Sequence, residues 1–314
     1  MKKISYVIPC YGSENTIEMV VEDIIKIMQN QAYNYEIITI NDSSPDYVWT
    51  KICELTEKYS FVKGISFAKN FGQHAALMAG YRIAQGDYVV TLDDDGQTPI
   101  GEVTNLINKL EEGYDVVYAY YPERKDNLFR KFGTWLNNLM TEKLIGKPKG
   151  VHFTSYFIMR KFICDELIKY QNPYPYIWGL VSRTTRNIAN TPIHHRERED
   201  GKSGYTFKKL LSLWMNGFTA FSVVPLRIAT LLGIVTACIS FMFIIYLIIS
   251  KLLHPEMAAG YASTMSVILF VGGMIMILIG MLGEYIGRIY ISMNNSPQYV
   301  IREKINANNE NKLG

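Results

Sequence analysis

Two stretches without a charged side chain, Ile228–Ser250 and Met257–Gly283, set the limits on what this chain of 314 residues folds into. Each exceeds the roughly 20 residues that a helix needs to cross a hydrocarbon core of about 30 Å. Two buried helices of a soluble core are the alternative, and lengths like these in a domain of this size argue against it. The connection Lys251–Glu256 is short, so the pair is expected to form a hairpin whose outer ends share one side. The flanks carry Lys208, Lys209, Arg227, Arg288, Arg302 and Lys304, and the connection only Lys251. The positive-inside bias places both flanks in the cytosol. The second stretch holds Gly272, Gly273, Gly280, Gly283 and Gly287. Small residues of this kind let it pack closely on its partner helix or on another subunit. Ahead of the hairpin, Tyr205–Ser222 has apolar residues recurring at three and four with lysines at its start, the pattern of a helix lying in the membrane interface.

The remaining sequence reads as a soluble domain. A net charge of +3 is too small for a nucleic-acid binder. Cys10, Cys53, Cys164 and Cys238 share no metal-binding spacing and read as reduced thiols of a cytosolic compartment. The apolar run behind Met1 ends at Pro9, too soon for a signal-peptide core, and reads as a first strand. Strands are expected at Ser5–Pro9, Glu36–Asn41, Phe61–Phe67, Asp87–Leu92 and Asp115–Tyr120, with helices at Thr16–Met28, His74–Ile83 and Val103–Leu110. Such alternation means an α/β domain with a mostly parallel sheet covered by helices. The expected domains are 1–204 for this α/β part, 205–226 for the juxtamembrane helix, 228–250 and 262–285 for the spans, and 286–314 for a cytosolic tail. Within the tail, Asn306–Gly314 is polar enough to be disordered.

In open α/β sheets, ligands bind beyond the carboxyl ends of the strands. Three such ends are loaded here: Pro9–Glu14, Asn41–Asp46 and Asp93–Gln97. Three consecutive aspartates with no lysine or arginine nearby repel one another, and a bound cation removes that cost. Hard divalent ions prefer carboxylate oxygens, and Mg²⁺ is usually held by one or two carboxylates plus substrate phosphates. If the segment stays extended, Asp93, Asp95 and Gln97 face one side and Asp94 the other. An acidic surface turn is the plainer alternative. His194 and His195 lack partners at ligand spacing and read as polar loop residues. Neither a phosphate-binding Gly-rich loop nor a nucleophile elbow occurs.

Nearly the whole chain resembles the family 2 glycosyltransferases of GT-A fold, and more narrowly their polyprenyl-phosphate group. The resemblance rests on VIPCYGSENTI, NDSSPD, KNFGQHAALMAGYRIAQGDYVVTLDDDGQTP, REREDGKSGYTFKKLL and LGEYIGRIY. It implies a nucleotide-sugar donor (a UDP-sugar foremost), a polyprenyl phosphate acceptor such as undecaprenyl phosphate, Mg²⁺ or Mn²⁺, an inner-membrane location and a homo-oligomer, by analogy a tetramer. It further implies that Pro9, Tyr11 and Asp42 hold the nucleoside, that Asp93, Asp95 and Gln97 bind the metal, and that Asp94 lies near the sugar or ribose. Arg198, with Ser203 in the same R-x-x-G-x-S segment, is implied to neutralise the diphosphate. Arg124, Lys125, Arg130 and Lys131 are implied to receive the lipid phosphate; a solvated charged face is the alternative for this cluster.

Four positions depart from that pattern. Where family members often carry Glu at the position of Ser13, the nearest acid here is Glu14. Gly204 stands where Lys is frequent, and Asp94 and Gly96 replace residues that are commonly Ala and Leu. A processive polysaccharide synthase of the same fold is expected to carry QxxRW and more spans, neither of which this chain has. A non-catalytic membrane adaptor that binds nucleotide sugar is the alternative from another class.

Overall fold

The structure, a computed structural model, describes residues 1–122, 148–193, 224–253, 260–294 and 296–307. The chain forms two compact units, Met1–Tyr205 with Asn295–Gly314, and Thr206–Asn294.

The first unit is an eight-stranded sheet flanked by helices. Its strands are β1 (Lys3–Cys10), β2 (Asn34–Asn41), β3 (Val62–Phe67), β4 (Tyr88–Thr91), β5 (Val116–Tyr120), β6 (Phe157–Arg160), β7 (Ile188–Pro192) and β8 (Ile301–Ile305), in the order β7-β5-β6-β4-β1-β2-β3-β8. The pairs β1–β2, β1–β4, β2–β3 and β5–β7 are parallel. The pairs β4–β6, β5–β6 and β3–β8 are antiparallel. Helices α1 (Ile17–Met28), α2 (Val48–Lys58), α3 (Gln73–Ile83), α4 (Val103–Glu111), α5 (Lys161–Leu167) and α6 (Ile177–Thr184) cover it. All five strands and three helices expected before residue 121 are present, within about two residues at most ends.

Burial on both faces explains the near-continuous apolar strands. From Ile4 to Cys10, every residue of β1 is buried, as expected for a central parallel strand. On α1, Ile17, Val20, Val21, Ile24, Ile25 and Met28 are buried, a stripe at helical period facing the sheet. Helix α3 lies flush on the sheet because residue 80 lacks a side chain. A Cβ there would stand 2.4 Å from Val7 Cγ1 and 2.9 Å from Ile40 Cδ1. Gly80→Ala is therefore expected to lower stability by about 1–3 kcal/mol, the usual range for overpacking, read as a shift of the denaturant midpoint. No shift would mean that α3 can ride outward freely.

The chain leaves the first crossover unit to one side of β1 and returns through α3 to the other, where β4 pairs. The loops after β1, β2 and β4 thus meet at a topological switch point, the crevice where open α/β sheets bind ligands. The segment read as a cytosolic tail differs from expectation. Its residues 301–305 form β8, which lies antiparallel along β3 and closes that edge of the sheet.

The second unit contains α7 (Val224–Leu253) and α8 (Tyr261–Met293), of 30 and 33 residues. At 1.5 Å per residue they are about 45 and 50 Å long. Both overrun the expected spans. Among the described residues, one helical window, Phe270–Gly287 with mean hydropathy 1.8, is long and apolar enough to cross a membrane, and a shorter apolar stretch covers Gly233–Phe243. Large apolar side chains such as Phe241, Met276 and Ile277 are exposed along both helices. Among the described residues, a Cβ at Gly272, Gly273, Gly280, Gly283 or Gly287 would meet no atom within 4 Å outside its own stretch of helix. The interfacial helix expected over 205–226 lies almost wholly outside the described residues, its end at 224–226 being the first turn of α7.

Candidate active site

The three loaded strand ends come together through hydrogen bonds between their loops. The Tyr11 amide donates to Asp94 Oδ2 at 2.9 Å, and the Thr16 hydroxyl donates to the Asp94 carbonyl at 2.6 Å. The Gly12 amide donates to Ser44 Oγ at 2.8 Å. The Glu14 amide donates to Asp46 Oδ2, and Glu14 returns the favour by accepting from the Tyr47 amide, both at 2.9 Å. Glu14 and Asp94 thereby join loops. Tyr11 itself is 55% exposed, an aromatic face left open beside the crevice.

Asp42 is buried behind this edge. Its two oxygens accept from the Phe71 amide at 2.7 Å and the Gly72 amide at 2.8 Å, at the entry to α3. Burial pushes its carboxyl above the ordinary value, against the pull of these two amides. Each oxygen keeps further lone-pair capacity for a ligand.

The aspartate run does not stay extended. Strand β4 ends at Thr91, and Gly96 turns the chain with φ 72°, in the left-handed region. Asp95 folds onto its own turn, accepting from the Gln97 amide at 3.0 Å, and is exposed. Asp93 points inward, with Oδ1 accepting from Gln73 Nε2 at 2.9 Å and Oδ2 from the Ser155 hydroxyl. The alternation expected for Asp93, Asp95 and Gln97 is thus replaced by a turn that gives the two carboxylates different surroundings. Among the described residues, no three His, Cys, Asp or Glu side chains cluster closely enough to hold a metal by themselves.

The electrostatics still fit a hard cation. Asp93 has its carboxyl pushed up to about 6, by burial first and then by the charges of Asp95 and Asp94. Asp94 is raised as well, chiefly by burial. A positive charge beside these oxygens would reverse the repulsion. Asp93 and Asp95 would match the one or two carboxylates that Mg²⁺ takes when substrate phosphates complete its shell. The donor set fits a metal that arrives with its ligand rather than a prebuilt cage.

Gln73 and Ser155, which orient Asp93, escaped the sequence reading; they come from other elements and share no spacing with it. His74, next to Gln73, packs edge-on against Tyr176 and Trp178 at 5.4 and 5.6 Å between ring centroids. Burial lowers its imidazole to about 4, so it is neutral at physiological pH, and among the described residues its Nδ1 has no hydrogen-bond partner. Pro9 is the last residue but one of β1, opposite Ile40. The four cysteines are free. Arg124, Lys125, Arg130, Lys131, Arg198, Ser203, His194 and His195 lie outside the described residues.

The family model "Glycosyl transferase family 2" matches residues 5–168, and "GtrB C-terminal hairpin" matches residues 224–289. An undecaprenyl-phosphate 4-deoxy-4-formamido-L-arabinose transferase of Yersinia enterocolitica is 33% identical, over 98% of this chain and 95% of that protein. One of the same description from Yersinia pestis is 32% identical over the same shares. Among solved structures, the glucosyl-3-phosphoglycerate synthase of Mycobacterium tuberculosis in complex with Mn²⁺ and UDP-glucose aligns with a TM-score of 0.51 at 20% identity. That alignment covers 74% of this chain and 78% of the synthase, and it bears on the fold alone.

Proposed function

The chain belongs to glycosyl transferase family 2, and from this premise we propose that it moves a sugar from a nucleotide diphosphate, UDP foremost, onto undecaprenyl phosphate at the cytosolic face of the cell membrane. The observation that carries the reading is the end-to-end similarity, hairpin included, to transferases named for that lipid acceptor. The convergence of three polar strand ends at the switch point supports it independently.

In this reading an oxygen of the lipid phosphate attacks the anomeric carbon as the bond from that carbon to the diphosphate breaks. The nucleoside diphosphate leaves with the electron pair, and direct displacement inverts the centre. No general base is required, because a phosphate monoester with a second pKa near 6 is largely dianionic at pH 7. Arg124, Lys125, Arg130 and Lys131 position that dianion; arginine suits forked contacts with phosphate. Pro9, Tyr11 and Asp42 receive the nucleoside, Glu14 shapes the loop beside it, and Asp94 fixes the Tyr11 loop against the sugar or ribose. Asp93 and Asp95, with Gln97, would hold Mg²⁺ or Mn²⁺, which would supply positive charge against the departing diphosphate. Arg198 adds a second positive group there and Ser203 a hydroxyl. The two apolar helices cross the membrane as a hairpin and keep the enzyme beside its lipid.

The test offers the purified full chain undecaprenyl phosphate with a panel of UDP-, GDP- and dTDP-sugars and identifies the lipid product by mass spectrometry. One donor is expected to yield a glycosylated lipid phosphate and to release its nucleotide. EDTA is expected to stop turnover, and excess Mg²⁺ or Mn²⁺ to restore it. Binding without turnover, for every donor, would instead support a nucleotide-sugar adaptor. Full turnover in EDTA would remove the metal from the scheme.

A further inference from the structure

After the seven residues that follow α8, the chain enters β8 and closes the edge of the catalytic sheet. On the way in, Tyr299 and Val300 touch Phe67 and Ala68, where the chain leaves β3 for α3. The Tyr299 ring stacks on Phe67, with 5.0 Å between centroids and 8° between planes. Phe67 in turn meets Phe71 edge-on at 5.7 Å. The Ala68 amide donates to the Val300 carbonyl at 2.9 Å, and Arg302 Nη2 donates to the Ala68 carbonyl at 3.4 Å. Tyr299 is itself pinned from α3, where Arg82 Nη1 donates to its hydroxyl at 2.6 Å and the guanidinium lies 5.1 Å from its ring centroid. On the far side of the same segment, the Phe71 and Gly72 amides hold the two oxygens of Asp42.

We infer that Tyr299 is a positioning residue for the donor nucleotide, acting through the Tyr299–Phe67–Phe71 stack on the two amides that aim Asp42. The inference rests on the proposed donor role of Asp42. The physical reason is local. The chain from Ala68 to Gly72 is a connection between strand and helix, and aromatic pairs in stacked and edge-on geometry are what fixes it from outside. A donor-site carboxylate aimed by a connection is only as well placed as that connection. The consequence is that the strand following the hairpin contributes to donor affinity, although none of its side chains is asked to touch the donor.

The experiment uses the full chain in detergent. UDP, GDP and dTDP, each with Mn²⁺, are titrated into wild type, and the nucleotide bound is carried through the variants. Tyr299→Ala is expected to weaken its binding by about tenfold, the size of one lost aromatic pair. The donor KM should rise in parallel, with kcat at saturating donor and the acceptor KM almost unchanged. Tyr299→Phe keeps the stack and should restore wild-type affinity. Tyr299→Leu preserves volume without stacking, and decides the matter should the alanine variant fail to fold. Unchanged nucleotide affinity in a folded Ala or Leu variant, with affinity lost in Asp42→Asn, overturns the inference while leaving the donor site intact. Unchanged affinity in Asp42→Asn, or no nucleotide bound by wild type, overturns the donor role of Asp42 and this inference together.

Discussion

Asp93→Asn is expected to lose about a thousandfold in transfer, the scale of removing a preorganised group that stabilises departing charge, and yet to give a more heat-stable protein in EDTA. Both halves follow from the same burial. The Asp93 carboxyl is raised to about 6 in the folded chain from an ordinary 3.8. A raised acid is stabilising when protonated and costly when ionised. The cost opens as pH rises through the ordinary value, and is complete above the folded one. At pH 7 without metal it amounts to roughly 2–3 kcal/mol, at about 1.4 kcal/mol per unit. Asparagine carries no such charge; its amide oxygen can accept from Gln73, and its amide nitrogen can donate to the Ser155 hydroxyl oxygen. The gain in melting temperature over wild type should shrink as pH falls below about 6, and should vanish when Mn²⁺ and nucleotide are added to wild type. Asp95→Ala should lose transfer as severely, with the protein still folded and membrane-bound. Turnover near the wild-type level in either variant would deny the aspartates a part in the chemistry.

The largest effect on stability is expected at the opposite end of the sheet. Glu36 is buried, and its carboxylate collects four donors: Ser5 Oγ at 2.6 Å, the Gln85 amide at 2.7 Å, Lys63 Nζ at 2.8 Å and Lys3 Nζ at 3.0 Å. Burial alone would raise its pKa, but the bonds from Lys63, Ser5, Gln85 and Lys3 prevail and hold it below the ordinary 4.5. Glu36→Ala strands Lys63, whose side chain is only 15% exposed, together with the other three donors. Removing one partner of a buried pair typically costs about 3–5 kcal/mol. A depressed acid contributes stability above its unfolded value and loses it as pH falls through the folded one. The difference between wild type and variant in urea should therefore be full at pH 7 and shrink as pH falls below the ordinary 4.5. Donor KM should stay unchanged, since the network lies at the strand starts, away from the crevice. A loss under about 1 kcal/mol would mean that desolvation cancels the pairing.

Which parts of this architecture can be read from residues alone follows from how each part is held. The strands of the first 120 residues are buried on both faces, so their apolar runs are unbroken and their ends are marked by Pro9, Asn41 and Asp93. Strand β8, IREKI, carries no such run. Only its terminal isoleucines are half-buried, and the three charged residues between them are exposed. It is a strand because β3 offers an open edge to it, a fact about the partner rather than about IREKI. Helix α2, which buries only Val48, Ile52, Leu55 and Thr56, and the four-residue β6 are not legible in the sequence for related reasons. At the site, the positions of the acidic residues could be read, but their directions could not. Gly96 bends the run out of the extended form, and the groups that turn Asp93 inward, Gln73 and Ser155, lie 20 and 62 residues away.

The edge closed by β8 has a consequence for biogenesis. In order of synthesis, the strand that completes the sheet is the last of its strands to leave the ribosome, after both apolar helices have emerged. Until then β3 presents an unpaired row of amides and carbonyls, the kind of template on which nascent chains aggregate. Maturation of the globular part is thereby made to wait for the hairpin. A chain stopped ahead of the hairpin keeps every strand around the crevice and still lacks the one that shields its flank.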